Sequence, residues 1–304
     1  MMLVTLLACA SHEALRDDSA PAQPAPEADL VLQFRYAVIA DPHVSTVTGE
    51  NLDRLDRAVA WINSEADTRD LRLVLVVGDI GWGDGLPSAR ASLDRLVLPY
   101  VPINGDNEIQ LGSEEAYDTT FTDHYAALTQ AFPDFTLGPV RVDNPEVGAP
   151  SWFHNMAFTY EGVRFIGLDW ASRILDPMLG ELGYLHDFEG GSWPFFTSQL
   201  EAAAADGMGE HITLFSHIPM HFSPAAFDLD KIATIVDETG PLGDQVWADL
   251  AGHYHFSASE TVPDAGYDLH VTDATWDDDV ELRIVEVWGN DRRFAPLTET
   301  VVVP

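Results

Sequence analysis

The chain has 304 residues, 46% of them hydrophobic and 10% aromatic, enough to bury a sizeable core in one large domain or two small ones. Fifty Asp plus Glu stand against 15 Lys plus Arg, a formal net charge of −35. Such a surface repels polyanions and argues against nucleic-acid binding and against docking on anionic lipid headgroups.

No stretch reaches the roughly 20 apolar residues a membrane-spanning helix needs. The single cysteine, Cys9, excludes an internal disulfide and any Cys-based zinc cluster. It follows the apolar run Met1 to Ala8, and Leu6-Leu7-Ala8-Cys9 resembles the lipobox of bacterial lipoproteins, whose cysteine is acylated. That resemblance implies a signal segment over residues 1–9 and a lipid on Cys9. It also implies a bacterial envelope location, at the periplasmic or outer surface, with the membrane touched only through the anchor. Without the lipid the protein is expected to be secreted. Residues 10–33 are rich in Pro and Ala, lack periodicity and form the expected disordered tether. Residues 34–304 are left as one domain.

Within that domain, Phe34 to Ala40 is a short β-rich run stopped by Asp41-Pro42. Leu52, Leu55, Val59 and Ile62 mark an amphipathic helix over residues 51–65, with Asn51 as its cap. Leu71 to Val77 is nearly all apolar, as a strand buried on both faces is. A helix over 88–98 and a strand over 100–103 follow, and this alternation implies parallel strands with helical crossovers. A helix at 119–131 lies within a long Pro/Gly-rich excursion, 109–155. Glu161-Gly162 then joins strands 156–160 and 163–168 as a hairpin. A helix at 195–205 and strands at 211–215, 247–251, 268–272 and 280–288 complete the series. One α/β domain with both sheet faces covered is the economical expectation.

Five polar clusters each follow one of the predicted strands: Asp41-Pro42-His43, Gly78-Asp79, Gly105-Asp106-Asn107-Glu108, Ser216-His217 and Gly252-His253-Tyr254-His255. Open α/β sheets bind ligands at the carboxyl ends of their strands, so these clusters can converge. Residues two apart in extended chain point the same way, which pairs Asp41 with His43 and His253 with His255. Carboxylates mixed with imidazoles suit Zn, Fe or Mn better than Ca or Mg. Four His and three Asp exceed what one ion accepts, whereas two ions sharing a bridging carboxylate use them all.

The ordered series resembles the calcineurin-like metallophosphoesterase superfamily, with its pattern DxH, GDxxD, GNH[DE], H and GHxH, over about residues 34–290. The resemblance implies a four-layer α/β/β/α sandwich of two facing mixed sheets flanked by helices. It implies that Asp41, His43 and His255 hold one metal, that Asp106, His217 and His253 hold the other, and that Asp79 bridges them. The implied cofactors are two divalent or mixed-valence transition ions (Fe, Mn or Zn). The implied activity is hydrolysis of small phosphoesters by metal-bound hydroxide.

Three departures qualify the activity. Asp106 replaces the motif's Asn and adds a negative charge, which favours monoanionic diesters over dianionic monoesters. Asn107 replaces the catalytic His, and Trp82 replaces the acid that supports it. Asn107 cannot deliver a proton, so substrates with good leaving groups are favoured. The alternative is a nearly inactive relative that binds a phosphorylated ligand or partner. His154 and His221 are candidates to stand in as the acid that Asn107 cannot be, and Asp84 is the candidate to replace the carboxyl lost at Trp82. Glu108 is expected to hydrogen-bond locally, and Asp169 to meet substrate or a ligand histidine. Trp152, Phe153 and Trp170 read as packing residues.

Overall fold

The computed structural model describes residues 29–110, 112–174, 182–205, 211–220, 246–261, 267–277, 279–290 and 293–304. Cys9, nearly all of the predicted tether and His221 lie outside the described residues.

The chain opens with β1 (Val31–Ile39), α1 (Gly49–Arg69), β2 (Leu71–Val77), α2 (Gly85–Leu93) and β3 (Tyr100–Ile103). Two helices, α3 (Asp106–Gln110) and α4 (Glu114–Ala131), precede the short strands β4 (Thr136–Leu137), β5 (Arg141–Asn144) and β6 (Ala149–Trp152). The hairpin β7 (Met156–Tyr160) and β8 (Val163–Gly167) leads to α5 (Ser192–Ala205) and β9 (Ile212–Phe215). The series closes with β10 (Val246–Ala251), β11 (Ala258–Thr261), β12 (Asp268–Val271), β13 (Glu281–Asn290) and β14 (Arg293–Val302).

These strands form two mixed sheets, ordered β14-β13-β1-β2-β3 and β11-β12-β10-β9-β8-β7-β4, and β5-β6 stands as a separate ribbon. The two facing mixed sheets implied by the resemblance are both present, where the alternation of strands and helices by itself pointed to one. The parallel strands β1, β2 and β3 belong to one sheet and the parallel strands β8, β9, β10 and β12 to the other. The sheets face each other through aromatic side chains. Tyr36 of β1 meets Phe165 of β8 edge-on at 5.4 Å, and Phe34 meets Tyr160 at 4.9 Å. Leu55, Val59 and Ile62 of α1, Leu86 and Ala89 of α2, and Tyr117 and Phe121 of α4 share this core. Helix α5 covers the far face of the second sheet, with Phe196, Leu200 and Ala203 packed among Ile166, Ile212 and Leu214. The result is the α/β/β/α sandwich.

Several boundaries differ from the sequence expectation. Strand β1 starts at Val31 because Val31 and Leu32 pair with β13, and Gln33, at a shift in the register, donates through Nε2 to Gly289 O at 3.2 Å. Helix α1 starts at Gly49 after Thr48, and Asn51 is no cap: its amide donates to His43 O at 2.9 Å. Helix α2 runs from Gly85 to Leu93 with Asp94 as its C-cap, and the chain turns over residues 94–95 well before Pro99.

One buried carboxyl sets a pH dependence. Asp249 of β10 accepts Met220 N–H at 3.1 Å through Oδ2, while Oδ1 is buried with no hydrogen-bond partner among the described residues. Burial raises the group from 3.8 to about 7, against the pull of the Met220 bond. The folded state then keeps a proton that the unfolded chain has lost. Its contribution is full below pH 3.8 and disappears as pH rises through about 7. Asp249→Asn is expected to melt higher than the parent at pH 8, on the order of 3–4 kcal/mol. The gap should close toward pH 4.5. Equal melting curves at both pH values would contradict this.

Candidate metal centre

The polar clusters lie at the carboxyl ends of five strands, β1, β2 and β3 of the first sheet and β9 and β10 of the second. The two sheets thus deliver their donors to one rim. Asp41, Asp79, Asp106 and His217 are buried there, while His43, His253 and His255 are half-buried and form the open side.

The backbone is strained where the donors sit. Of eight non-glycine residues with positive φ among those described, five are Asp41, His43, Asp79, His253 and His255. Left-handed backbone costs a β-carbon-bearing residue on the order of 1–3 kcal/mol and collects at functional sites. The loops also hold one another. His43 N–H donates to Asp79 O at 2.8 Å, Gly252 N–H to His217 O at 3.1 Å, and His253 N–H to the Asp41 carboxylate at 3.0 Å. Close approach requires glycine beside the donors: a β-carbon on Gly78, whose φ is +79°, would sit 2.4 Å from His217 Cβ. A β-carbon on Gly105 would sit 2.1 Å from Asp79 Oδ1, and one on Gly252 2.4 Å from Asp41 Oδ2.

The donor atoms gather into three overlapping groups: Asp41, His43 and His255; Asp106, His217 and His253; and Asp41, Asp79 and His217. Within each group they lie within 4.8 Å of one another. His217 Nε2 and His253 Nδ1 are 3.3 Å apart and lie 2.9 and 3.0 Å from Asp106 Oδ1. That spacing is the edge length of a tetrahedron or octahedron with bonds of about 2.0–2.1 Å. His217 Nδ1 donates to Val77 O at 3.0 Å, which leaves Nε2 for an ion. Gln110 Nε2 steadies Asp106 through Oδ2 at 2.8 Å. His43 Nε2 is buried 3.1 Å from Asp79 Oδ2, yet makes no well-directed hydrogen bond. A ring nitrogen in that position, facing carboxylates, fits a metal ligand.

Electrostatics point the same way. Burial disfavours a charged His43, but the carboxylates of Asp41 and Asp79 close beside it outweigh that and lift the ring to about 10. Burial opposes charge on His217 too, and Asp79, Asp106 and Asp41 together raise it well above the ordinary range. Burial alone would raise Asp79, and the rings of His217 and His43 instead hold it well below the usual carboxylate range. Without metals, protons on imidazole balance the carboxylates. Cations can take their place.

The remaining sequence candidates separate clearly. Asn107 joins the centre: its backbone N–H donates to Asp79 Oδ1 at 3.0 Å and its amide to Asp79 Oδ2. Glu108 does bond locally, accepting Gly81 N–H at 2.8 Å and Gly105 N–H at 2.6 Å, so it ties the Asp79 loop to the Asp106 loop. Burial, then the charge of Asp79, raises Glu108 to about 8. Asp84 is exposed at the start of α2 and is not brought to the centre. Asp169 turns away from the expected role. Both its oxygens are taken by Arg173, at 2.7 and 2.8 Å, and its Oδ2 also accepts His154 N–H. The His154 ring stacks on Tyr125 at 5.5 Å and faces Asp118 at 3.4 Å, and it is in none of the three donor groups. Phe153 and Trp170 are buried packing residues, and Trp170 Nε1 anchors the loop after His217 by donating to Ile218 O at 2.8 Å.

Sequence reasoning missed Trp276. It stacks on His43 at 5.7 Å, in a loop after β12 that no motif marks.

No protein-family model matches the chain, and neither does any curated protein. Among solved structures, a putative 5'-nucleotidase from Staphylococcus aureus superposes over 89% of this chain with a TM-score of 0.53 at 12% identity. The chain has the calcineurin-like metallophosphoesterase fold. It spans 54% of that nucleotidase's length. The TT1561 protein of Thermus thermophilus covers 90% of this chain and is itself covered fully, with a TM-score of 0.48 and 11% identity. The sulfate thiohydrolase SoxB of the same genus covers 83% of this chain, which matches 42% of it, with a TM-score of 0.47 and 16% identity.

Proposed function

We propose that the chain is a metal-dependent hydrolase of small phosphoesters. Asp41, His43 and His255 would hold one ion and Asp106, His217 and His253 the other, with Asp79 between them. The observation that carries this reading is the convergence of the seven donors from five strand ends into overlapping groups within bonding reach of shared cations. An imidazole-rich set with carboxylates suits Zn, Fe or Mn. Two such ions, when bound, activate water and neutralise phosphoryl oxygens for in-line displacement.

The chain's own residues define the rest. Asn107 fixes both oxygens of Asp79 and has no proton to give, so the leaving group departs without help from that position. Asp41, Asp79 and Asp106 offset three of the four charges of two divalent ions, which favours a monoanionic diester or a good leaving group over a dianionic monoester. Lipidation of Cys9 and an envelope location belong to the same proposal and rest on Leu6-Leu7-Ala8-Cys9.

Release of nitrophenolate from bis-(p-nitrophenyl) phosphate tests it. Release should appear with metal, vanish on chelation and return on reloading. A second reading, a phosphoester binder without turnover, is favoured by the commitment of the Asn107 amide to Asp79. Protein that keeps its ions and releases nothing would decide for it.

Metal uptake should also expel protons, since His43 is raised to about 10 and His217 well above its ordinary value. At pH 7.5 about two protons per chain are expected, one from each ring, and metal affinity should fall in acid. Calorimetry in two buffers of different ionisation enthalpy measures this. Uptake without proton release would contradict the ring assignments.

A further inference from the structure

The open side of the centre is lined by aromatic rings. Trp82 meets the His43 ring edge-on at 5.5 Å, while Trp276 stacks on it at 5.7 Å and 29°. Trp276 also meets His255 edge-on at 5.4 Å, and Tyr254 meets His253 at 5.0 Å. Both indoles are half-buried, so each keeps part of its surface toward solvent. Backbone bonds fix both in place. Trp82 N–H donates to Val44 O at 3.3 Å, beside His43, and Thr275 N–H donates to Ala40 O at 2.8 Å, beside Asp41. A pre-placed ring loses little freedom when a second ring packs on it, so its contact energy goes into affinity. The charge balance sharpens the point. With three carboxylates in the donor set, attraction for the phosphoryl group is modest, and uncharged contacts at the mouth carry more of the selection.

We propose that Trp82 and Trp276 seat an aromatic ring of the substrate, which makes this centre selective for aryl-bearing phosphoesters over alkyl ones. The inference rests on the hydrolase reading above and adds the substrate's organic half. Both tryptophans are specificity residues; neither touches the transferring proton or phosphorus.

The test is calorimetric titration of the metal-loaded full chain with phenylphosphonate and with methylphosphonate, in the parent, Trp276→Leu and Trp82→Leu. Quenching of tryptophan fluorescence gives a second readout. The parent is expected to bind phenylphosphonate about tenfold tighter, the order that stacking one ring supplies. Leucine at either position should shrink the ratio to about two- or threefold while methylphosphonate affinity holds. Circular dichroism identifies a variant that fails to fold, and the other variant then carries the comparison. Equal affinity for the two phosphonates in the parent overturns the aryl seat, as does a ratio unchanged in the folded variants or binding of neither ligand. The same titrations read metal uptake. Protein that takes no ion refutes the hydrolase, whereas protein that takes ions and ignores the ring refutes only the seat.

Discussion

Asp79→Asn is expected to lose at least one of the two ions and to cut turnover of bis-(p-nitrophenyl) phosphate by about 10²–10³ or more. Asp79 is buried, faces His43 Nε2 at 3.1 Å and His217 Nε2 at 3.4 Å, and takes two bonds from Asn107. Asparagine keeps the shape and removes the charge. A bound ion supplies several kcal/mol of charge stabilisation to the transition state, so losing one gives the stated rate factor at about 1.4 kcal/mol per tenfold. The effect should appear in metal content and in kcat together, while the far-ultraviolet spectrum stays that of the parent. A variant with two ions and parental turnover would remove Asp79 from between the sites.

The second large effect concerns the leaving group. No side chain at position 107 protonates it; His154, a candidate for that role, faces Asp118 and Tyr125, and Asp84, the candidate to replace the acid lost at position 82, is exposed at the start of α2. General acid catalysis is worth about 10²–10⁴. In a series of aryl diesters from p-nitrophenyl to phenyl, kcat should therefore fall steeply as the leaving phenol becomes more basic. An aryl series keeps the aromatic contacts constant, so the slope reports bond breaking alone. A shallow slope, together with an acid limb in the pH profile that disappears on mutating a single residue, would show that another group gives the proton.

Much of this was legible in the chain because the physics is local. Leu71 to Val77 reads as a doubly covered strand from its unbroken apolar run, and the Glu161-Gly162 hairpin from its turn chemistry; both are where the sequence puts them. The donors were legible because each polar cluster interrupts an apolar run, and their convergence follows from parallel strands ending on one rim. What stayed hidden depends on long-range pairing. Periodicity alone does not separate the second sheet from the first, since strand identity says nothing about which partner a strand chooses; the ordered motifs, through the resemblance, do. Strand β14 carries Pro296 and only a weak alternation, and its ten-pair ladder with β13 is a tertiary fact. Asp169 looked free to reach a ligand because Arg173, four residues on, lies in irregular chain where no pattern announces a buried ion pair. Trp276 was missed for a similar reason: its place over His43 comes from one backbone bond between Thr275 and Ala40, more than two hundred residues apart in sequence.

The most direct measurement is the metal content of the purified, reloaded chain by mass spectrometry, in the parent and in His43→Ala and His217→Ala. Two ions per chain are expected in the parent and fewer in each variant. A parent that retains none, or variants that hold as many as the parent, would contradict the dinuclear centre.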